Sequence, residues 1–162
     1  MDYLWTPWRY RYVAQAGKSD ECIFCAALAA NDDSGRKIVH RAAQNFVILN
    51  LYPYTTGHSM IVPYQHVPDL AGCDPETLAE MMRLARRMQM ALAKIYNPGG
   101  FNLGMNLGHC AGAGVAGHLH LHVLPRWAGD TSFMTSVGET RLHPEGLDET
   151  YRKLRAEFEA PA

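Results

Sequence analysis

Residues 118–125 read His118-Leu119-His120-Leu121-His122-Val123-Leu124-Pro125, and this pattern constrains the fold more than any other stretch of the chain. Side chains alternate across a β-strand, so the three histidines share one face while Leu119, Leu121 and Val123 share the other. The apolar face can enter a core, and the imidazole face can do chemistry. Proline has no amide hydrogen for a central ladder, so Pro125 marks where this strand ends or reaches an edge. The glycine-rich run 108–117 leads directly into it.

Imidazole is the commonest metal ligand, and one zinc held by all three rings is the first reading. A strand rising about 3.3 Å per residue, however, sets His118 and His122 roughly 13 Å apart at Cα, too far to meet on one ion without a bulge. The rings are therefore expected to divide between roles. A neutral imidazole is also a nucleophile that can attack phosphorus and form a covalent intermediate. The plain alternative is a solvated polar face, and the regular leucine framing argues against it.

With 162 residues the chain is long enough to bury a core, and it is expected to form a single domain over 1–162. Its 15 basic and 16 acidic residues nearly cancel, which disfavours a polynucleotide partner, since that would need a basic surface. No run of about 18 apolar residues and no basic-then-apolar leader is visible, so no membrane association and a cytoplasmic protein are expected. Four cysteines do not make a secreted disulfide framework. Cys22-Ile23-Phe24-Cys25 instead offers two thiolates, three positions apart, for half of a tetrahedral zinc site. A redox pair and two small buried hydrophobes are the alternatives.

The aromatic segment 1–13, with Trp5, Trp8 and three tyrosines, is too short for its own core and must pack on the body, a partner subunit or a ligand. Residues 26–30 continue a short helix, and 31–35 are a turn cluster. Residues 37–41, 45–50 and 58–63 read as strands, with links short enough for antiparallel pairing. Asp74, Pro75 and Glu76 open a long helix running to Tyr96, where Asn97-Pro98-Gly99-Gly100 stops it. Its methionines read as core filler, and Arg83, Arg86 and Arg87 as a solvated face. Residues 101–107 are a fourth strand, which sets Asn106 beside the glycine-rich loop. Backbone amides at Gly112, Ala113 and Gly114 can approach phosphate oxygens closely because the loop is so short of side chains. Arg126 and Trp127 either clamp a ligand from one side or close a dimer. Residues 133–146 are irregular and carry no assignment, and an apolar stripe of Leu147, Tyr151, Leu154 and Phe158 marks a C-terminal helix over 147–159. Five strands, one long helix and a terminal helix make an α+β domain with an antiparallel sheet.

His-x-His-x-His behind a glycine-rich loop resembles the signature of the histidine triad (HIT) superfamily of nucleotide hydrolases and transferases, and the likeness covers most of the chain. Leu4-Trp5-Thr6-Pro7-Trp8-Arg9 is similar to the opening arm of a bacterial branch that includes diadenosine tetraphosphate phosphorylase-like proteins; fragile-histidine-triad-like proteins are also similar. The resemblance implies a HIT-like fold, with the sheets of two subunits adjoining in a homodimer. It implies a nucleotide or dinucleoside polyphosphate substrate cleaved at the α-phosphate, with His120 as nucleophile, His122 stabilising charge and His58 orienting the site. His120 should be neutral at the attacking nitrogen and held by a hydrogen bond, expected from a backbone carbonyl, at the other. Asn50, eight residues before the Gly57-His58 pair, falls where the family contacts ribose; its plain alternative is a strand-end cap. Some relatives bind a structural zinc at the positions of Cys22, Cys25, His66 and His118, and magnesium can accompany the substrate phosphates. Many relatives place Gln, Ser or Thr before the triad, whereas this loop reads Ala111-Gly112-Ala113-Gly114-Val115-Ala116-Gly117. Phosphate contacts therefore fall to backbone amides, His122 and Asn106, and the choice between water and inorganic phosphate as acceptor stays open. A nucleotide-binding sensor that does no chemistry is the alternative from another class.

Overall fold

The computed structural model describes residues 21–130 and 144–160, so the aromatic segment 1–13 and positions 131–143 lie outside the described residues. Its framework is a five-stranded antiparallel sheet in the order β1-β2-β3-β5-β4, built from β1 (Ile38–Arg41), β2 (Asn45–Leu49), β3 (Ser59–Pro63), β4 (Gly100–Gly104) and β5 (Leu121–Arg126). Among the described residues, four α-helices pack around it: α1 (Ile23–Ala29), the single turn α2 (Asp33–Arg36), α3 (Pro75–Tyr96) and α4 (Leu147–Glu159). The α+β architecture and antiparallel sheet expected from the sequence are thus present.

Strand alternation sorts the core into two halves. Val47, Leu49, Ile61, Leu119, Leu121 and Val123 face α3 and α4, where they meet Met81, Met88, Leu92, Leu154 and Phe158. Phe46, Ile48, Met60 and Val62 face the opposite side and pack on Phe24 and Ala27 of α1. The histidine face of the triad is on the α1 side, because His122 is the direct cross-strand partner of Met60. α3 begins as anticipated, with the Asp74 carboxylate accepting from the Glu76 amide and Pro75 at the first turn, and ends on Asn97 in the left-handed region at φ 44°.

Several expectations need correction. The ladder of β5 starts at Leu121, not at 118, because the Leu119 amide donates to Val67 O at 2.6 Å and so leaves the sheet. β4 stops at Gly104, whose partner is His122, and only Leu121 lies upstream of that in β5, too little to carry a ladder through 105–107. Pro125 lies within β5, paired with Phe101 on one side, while pairing with β3 has already ended at Val123; it occupies an edge position on that side only. α1 starts at Ile23, so Cys25 is on its first turn, and part of the expected turn at 31–35 winds into α2, with Asp32 accepting from the Gly35 amide. Met82 and Met90 are not core filler: they are 56% and 57% exposed, because the buried face of α3 is centred on Met81, Ala85, Met88 and Leu92. Arg87 is not merely solvated either, since it donates to Phe158 O and lies 4.4 Å above that ring, docking α4.

Candidate active site

The site is a row of imidazoles whose protons are assigned by their partners. Beginning at the loop between β2 and β3, the Tyr54 amide can only donate, so His58 Nδ1, 3.1 Å away, accepts. The proton of a neutral His58 is then on Nε2, which donates to His122 Nδ1 at 2.9 Å. His122 consequently carries its proton on Nε2. A carbonyl oxygen can only accept, so His120 Nδ1–H donates to His118 O at 2.8 Å, and the Nε2 lone pair of His120 is left for chemistry. This is the backbone acceptor expected for His120. By the same logic His118 donates from Nε2 to Pro63 O at 2.9 Å and turns its Nδ1 lone pair outward.

Burial keeps the three triad rings neutral. His58, His118, His120 and His122 are 1%, 1%, 5% and 8% exposed. Removal from water disfavours the imidazolium, which holds His118 and His120 below the ordinary histidine value and pushes His122 down to about 4, with the neighbouring His120 adding to the last shift. Among the described residues no hydrogen-bond partner takes His120 Nε2, while Nδ1 is committed to His118 O. His120 and His122 meet edge to face with ring centroids 4.9 Å apart.

His118 instead serves a second cluster. Its Nδ1 is 3.2 Å from Cys22 Sγ and 3.7 Å from Cys25 Sγ, and Cys25 Sγ is 3.3 Å from His66 Nδ1. All four ligand atoms lie within 4.8 Å of one another, and this is the one group of three or more such residues among the described residues able to hold an ion. Zinc bonds of about 2.0–2.1 Å to nitrogen and 2.3 Å to sulfur put the N···S edge of a tetrahedron near ~3.5 Å, so the donor set fits that metal. Burial and the adjacent Cys22 thiol push the Cys25 thiol up, so a cation at the cluster favours its deprotonation to a ligand. Four protein donors fill a tetrahedral shell and leave no position for a reacting water. The triad thus divides as its spacing predicted: His118 turns to the cysteines, and His120 and His122 remain together.

The remaining expected contacts are distributed unevenly. Asn50 is a strand-end cap, its Oδ1 accepting from the Tyr52 amide at 2.9 Å, which leaves its amide hydrogens for a ligand. In the glycine-rich loop, the amides of Gly112 and Ala113 are spent internally on His109 O and Gly108 O, at 3.0 and 3.3 Å. Among the described residues no acceptor takes the amides of Gly114, Val115, Ala116 or Gly117, so the unpaired donors lie immediately before the triad. Asn106 reaches across the loop to Gly112 O at 3.5 Å. Arg126 is committed to Asp130 and Asn102, which removes it as a nucleotide clamp, and no ring contact joins the half-buried Trp127 to the histidines among the described residues.

Two residues of the site were not singled out from the sequence. Tyr54 fixes the His58 tautomer and spreads its ring over His58 and His122, with centroids 4.7 and 6.3 Å away. Phe24, between the two cysteines, packs against His118 and His120. Their signals were position alone: an aromatic four residues before the glycine-preceded histidine, and one inside the cysteine pair.

A family model described as HIT domain matches residues 32–129. An AP-4-A phosphorylase of Mycobacterium tuberculosis is 37% identical over 163 aligned positions, covering 96% of this chain and 83% of that protein. A bis(5'-nucleosyl)-tetraphosphatase (asymmetrical) of Schizosaccharomyces pombe is 30% identical over 98 positions, 60% of this chain and 53% of that protein. The crystal structure of a Zn-bound histidine triad family protein from Mycobacterium smegmatis superposes with a TM-score of 0.69 at 32% identity, covering 85% of this chain and 92% of that one.

Proposed function

We propose, since the chain belongs to the HIT domain family, that it is a nucleotide hydrolase or nucleotidyl transferase cleaving a dinucleoside polyphosphate, or another nucleoside phosphate derivative, at the α-phosphate. The observation that carries this reading is the unpartnered Nε2 lone pair of a neutral His120 whose other nitrogen is fixed by His118 O. In the first step Nε2 bonds to the α-phosphorus as the bridging P–O bond breaks, and a mononucleotide, nucleotide or polyphosphate leaves as an anion. His122, with its proton on Nε2, donates a hydrogen bond to the charge that develops, and His58 holds it in that tautomer. Unpaired amides from Gly114 onward face the same charge, with Asn106 beside them and the loop's internal bonds at Gly112 and Ala113 keeping its shape. In the second step an incoming oxygen bonds to phosphorus, the P–N bond breaks, and His120 is restored. Alignment and charge stabilisation, not further covalent chemistry, are the demands of such transfers.

Asn50 Nδ2 is the donor for ribose, and Trp127 flanks the ligand from the end of β5. Cys22, Cys25, His66 and His118 would hold a zinc ion, which when bound supplies a cross-link between α1, the segment after β3 and the triad. A magnesium ion accompanying the substrate would be carried by its phosphates, as magnesium usually is. A reducing, cytoplasmic setting suits a thiolate cluster, and no helix among the described residues is long and apolar enough to cross a membrane. The whole chain acts as one domain in a homodimer, and the solvent-facing edge of β4 in the single chain is the place where a second sheet can adjoin.

Phosphorolysis is the second reading, favoured by the 37% identical relative named AP-4-A phosphorylase. A panel of nucleotides and dinucleoside polyphosphates, turned over with and without inorganic phosphate and with products identified, decides between them. Nucleoside diphosphate formed only with phosphate assigns the phosphorylase, and nucleoside monophosphate formed without it assigns the hydrolase. Binding without any product would leave a nucleotide sensor and overturn the enzymatic reading.

A further inference from the structure

Besides the edge-to-face ring of His122, two supports steady the ring of His120, and both are tied to the cysteine–histidine cluster. One is the carbonyl of His118, which accepts the Nδ1 proton at 2.8 Å. The other is Phe24, whose ring lies 5.1 Å from that of His120 at an angle of 49°. Phe24 is 2% exposed, sits between Cys22 and Cys25, and meets His118 edge-on at 5.4 Å. A single hydrogen bond fixes one atom of an imidazole but leaves the plane free to tilt; an aromatic wall removes that tilt.

The wall itself depends on the cluster. α1 has seven residues, too few to be stable alone, and its N-cap Cys22 makes no side-chain cap hydrogen bond. Its fully buried contacts with the sheet are Phe24 and Ala27, with the half-buried Leu28 beside them. Ties of this end of the helix also run from Cys22 and Cys25 to His118 and His66. The His118 peptide is held by the same residue that presents Nδ1 to both sulfurs, with its Nε2 on Pro63 O.

We propose that the cluster is a positioning device for the nucleophile as well as a staple, with Phe24 as the positioning residue through which it acts. Closing Cys22, Cys25, His66 and His118 on a metal fixes α1 and hence the wall behind His120, and it fixes the His118 peptide and hence the acceptor of the His120 Nδ1 proton. Opening the cluster releases both supports together. The catalytic consequence rests on His120 being the nucleophile, as read above, whereas the orientation of its ring does not. A misplacement of about 1 Å at a reacting atom can cost roughly a hundredfold in rate. Loss of the wall is therefore expected to act on the step that forms the P–N bond, not on ligand affinity.

The experiment uses the zinc-loaded full chain as wild type, Phe24→Leu and Phe24→Ala, and the wild type stripped with a chelator and then reloaded. Nitrogen-15 spectra of the histidine rings follow the His120 Nδ1–H signal and its exchange with water, with no substrate present. Single-turnover kinetics follow nucleotidyl-enzyme formation, and titration with AMP follows affinity. Phe24→Leu, which keeps an apolar side chain in place, is expected to stay folded and retain its zinc while the His120 Nδ1–H signal exchanges faster. Its adduct formation is expected to slow by about tenfold or more, with AMP affinity within about twofold of the wild type. Stripping zinc should produce the same spectral change, and reloading should reverse it. Unchanged His120 ring signals in both Phe24→Leu and the stripped protein would overturn the proposal, even if stability fell. Phe24→Ala gives the larger effect if it folds; if it does not, Phe24→Leu and the stripped protein decide. A wild type that forms no adduct, yet shows the expected ring changes, would refute the nucleophile and leave the positioning device standing.

Discussion

Replacing Gly57 by alanine tests why a glycine precedes His58. Its φ is +82°, and a methyl group there would lie 2.7 Å from Leu92 Cδ2 and 3.3 Å from Pro125 Cγ. Left-handed backbone costs an L residue roughly 1–2 kcal/mol, and forcing a methyl into filled space costs about 1–3 kcal/mol more. Neither neighbour can retreat: Leu92 is 0% exposed in the core, and Pro125 is buried within β5. Gly57→Ala is therefore expected to lose about 3 kcal/mol, which for a chain of this length lowers the Tm by roughly 6–12 °C. Urea unfolding of Gly57→Ala, Leu92→Ala and the double variant separates the two contributions. Leu92→Ala alone costs about 2–5 kcal/mol, but it opens the space the methyl needs, so the double variant should be more stable than additivity predicts by about 1–2 kcal/mol. Gly57→Ala within about 0.5 kcal/mol of the parent, or a fully additive cycle, would refute the steric argument.

Three further outcomes follow from the same geometry. His122→Ala should slow turnover by about a hundredfold to a thousandfold while the adduct still forms at His120; measured single-turnover rates check this. Acidification should weaken the fold through His122: its value is about 4 when folded, so as pH falls from about 6.5 towards 4 the unfolded chain takes up a proton that the native one refuses. Stability should drop by roughly 3 kcal/mol across that window, with a shallower slope in His122→Ala by urea unfolding at several pH values; equal slopes would contradict it. Elemental analysis should find about one zinc per chain in the wild type, a clear shortfall in Cys22→Ser, and a lowered Tm on chelation; an unaltered Cys22→Ser with no zinc in either protein would remove the metal.

Much of this architecture was legible because period and spacing are local properties. The alternation in residues 118–125 assigned the two faces of β5 before any coordinates, and Asp74-Pro75 and Asn97 bounded α3 through capping and the left-handed stop. Strand ends were less legible, because they depend on partners: β4 is five residues long only because β5 joins the ladder at Leu121, and that start depends on where the Leu119 amide finds an acceptor. Which methionines of α3 are buried likewise required the position of the sheet. At the site, the residue types of the histidine row and the cysteine pair carried the chemistry in themselves, whereas the role of Phe24 and the amide of Tyr54 are products of tertiary contact. The loop amides were legible as donors, but which ones are already spent on Gly108 O and His109 O was not.

Trapping the covalent intermediate tests the central claim most directly. The full chain is mixed with diadenosine tetraphosphate, quenched in alkaline denaturant within one turnover, and its intact mass and peptide fragments are measured. One adenylyl group on His120, absent from a folded His120→Ala that still binds AMP and turns nothing over, is the predicted result. Product release with no adduct, an adduct on another residue, or substantial turnover by His120→Ala would contradict the account.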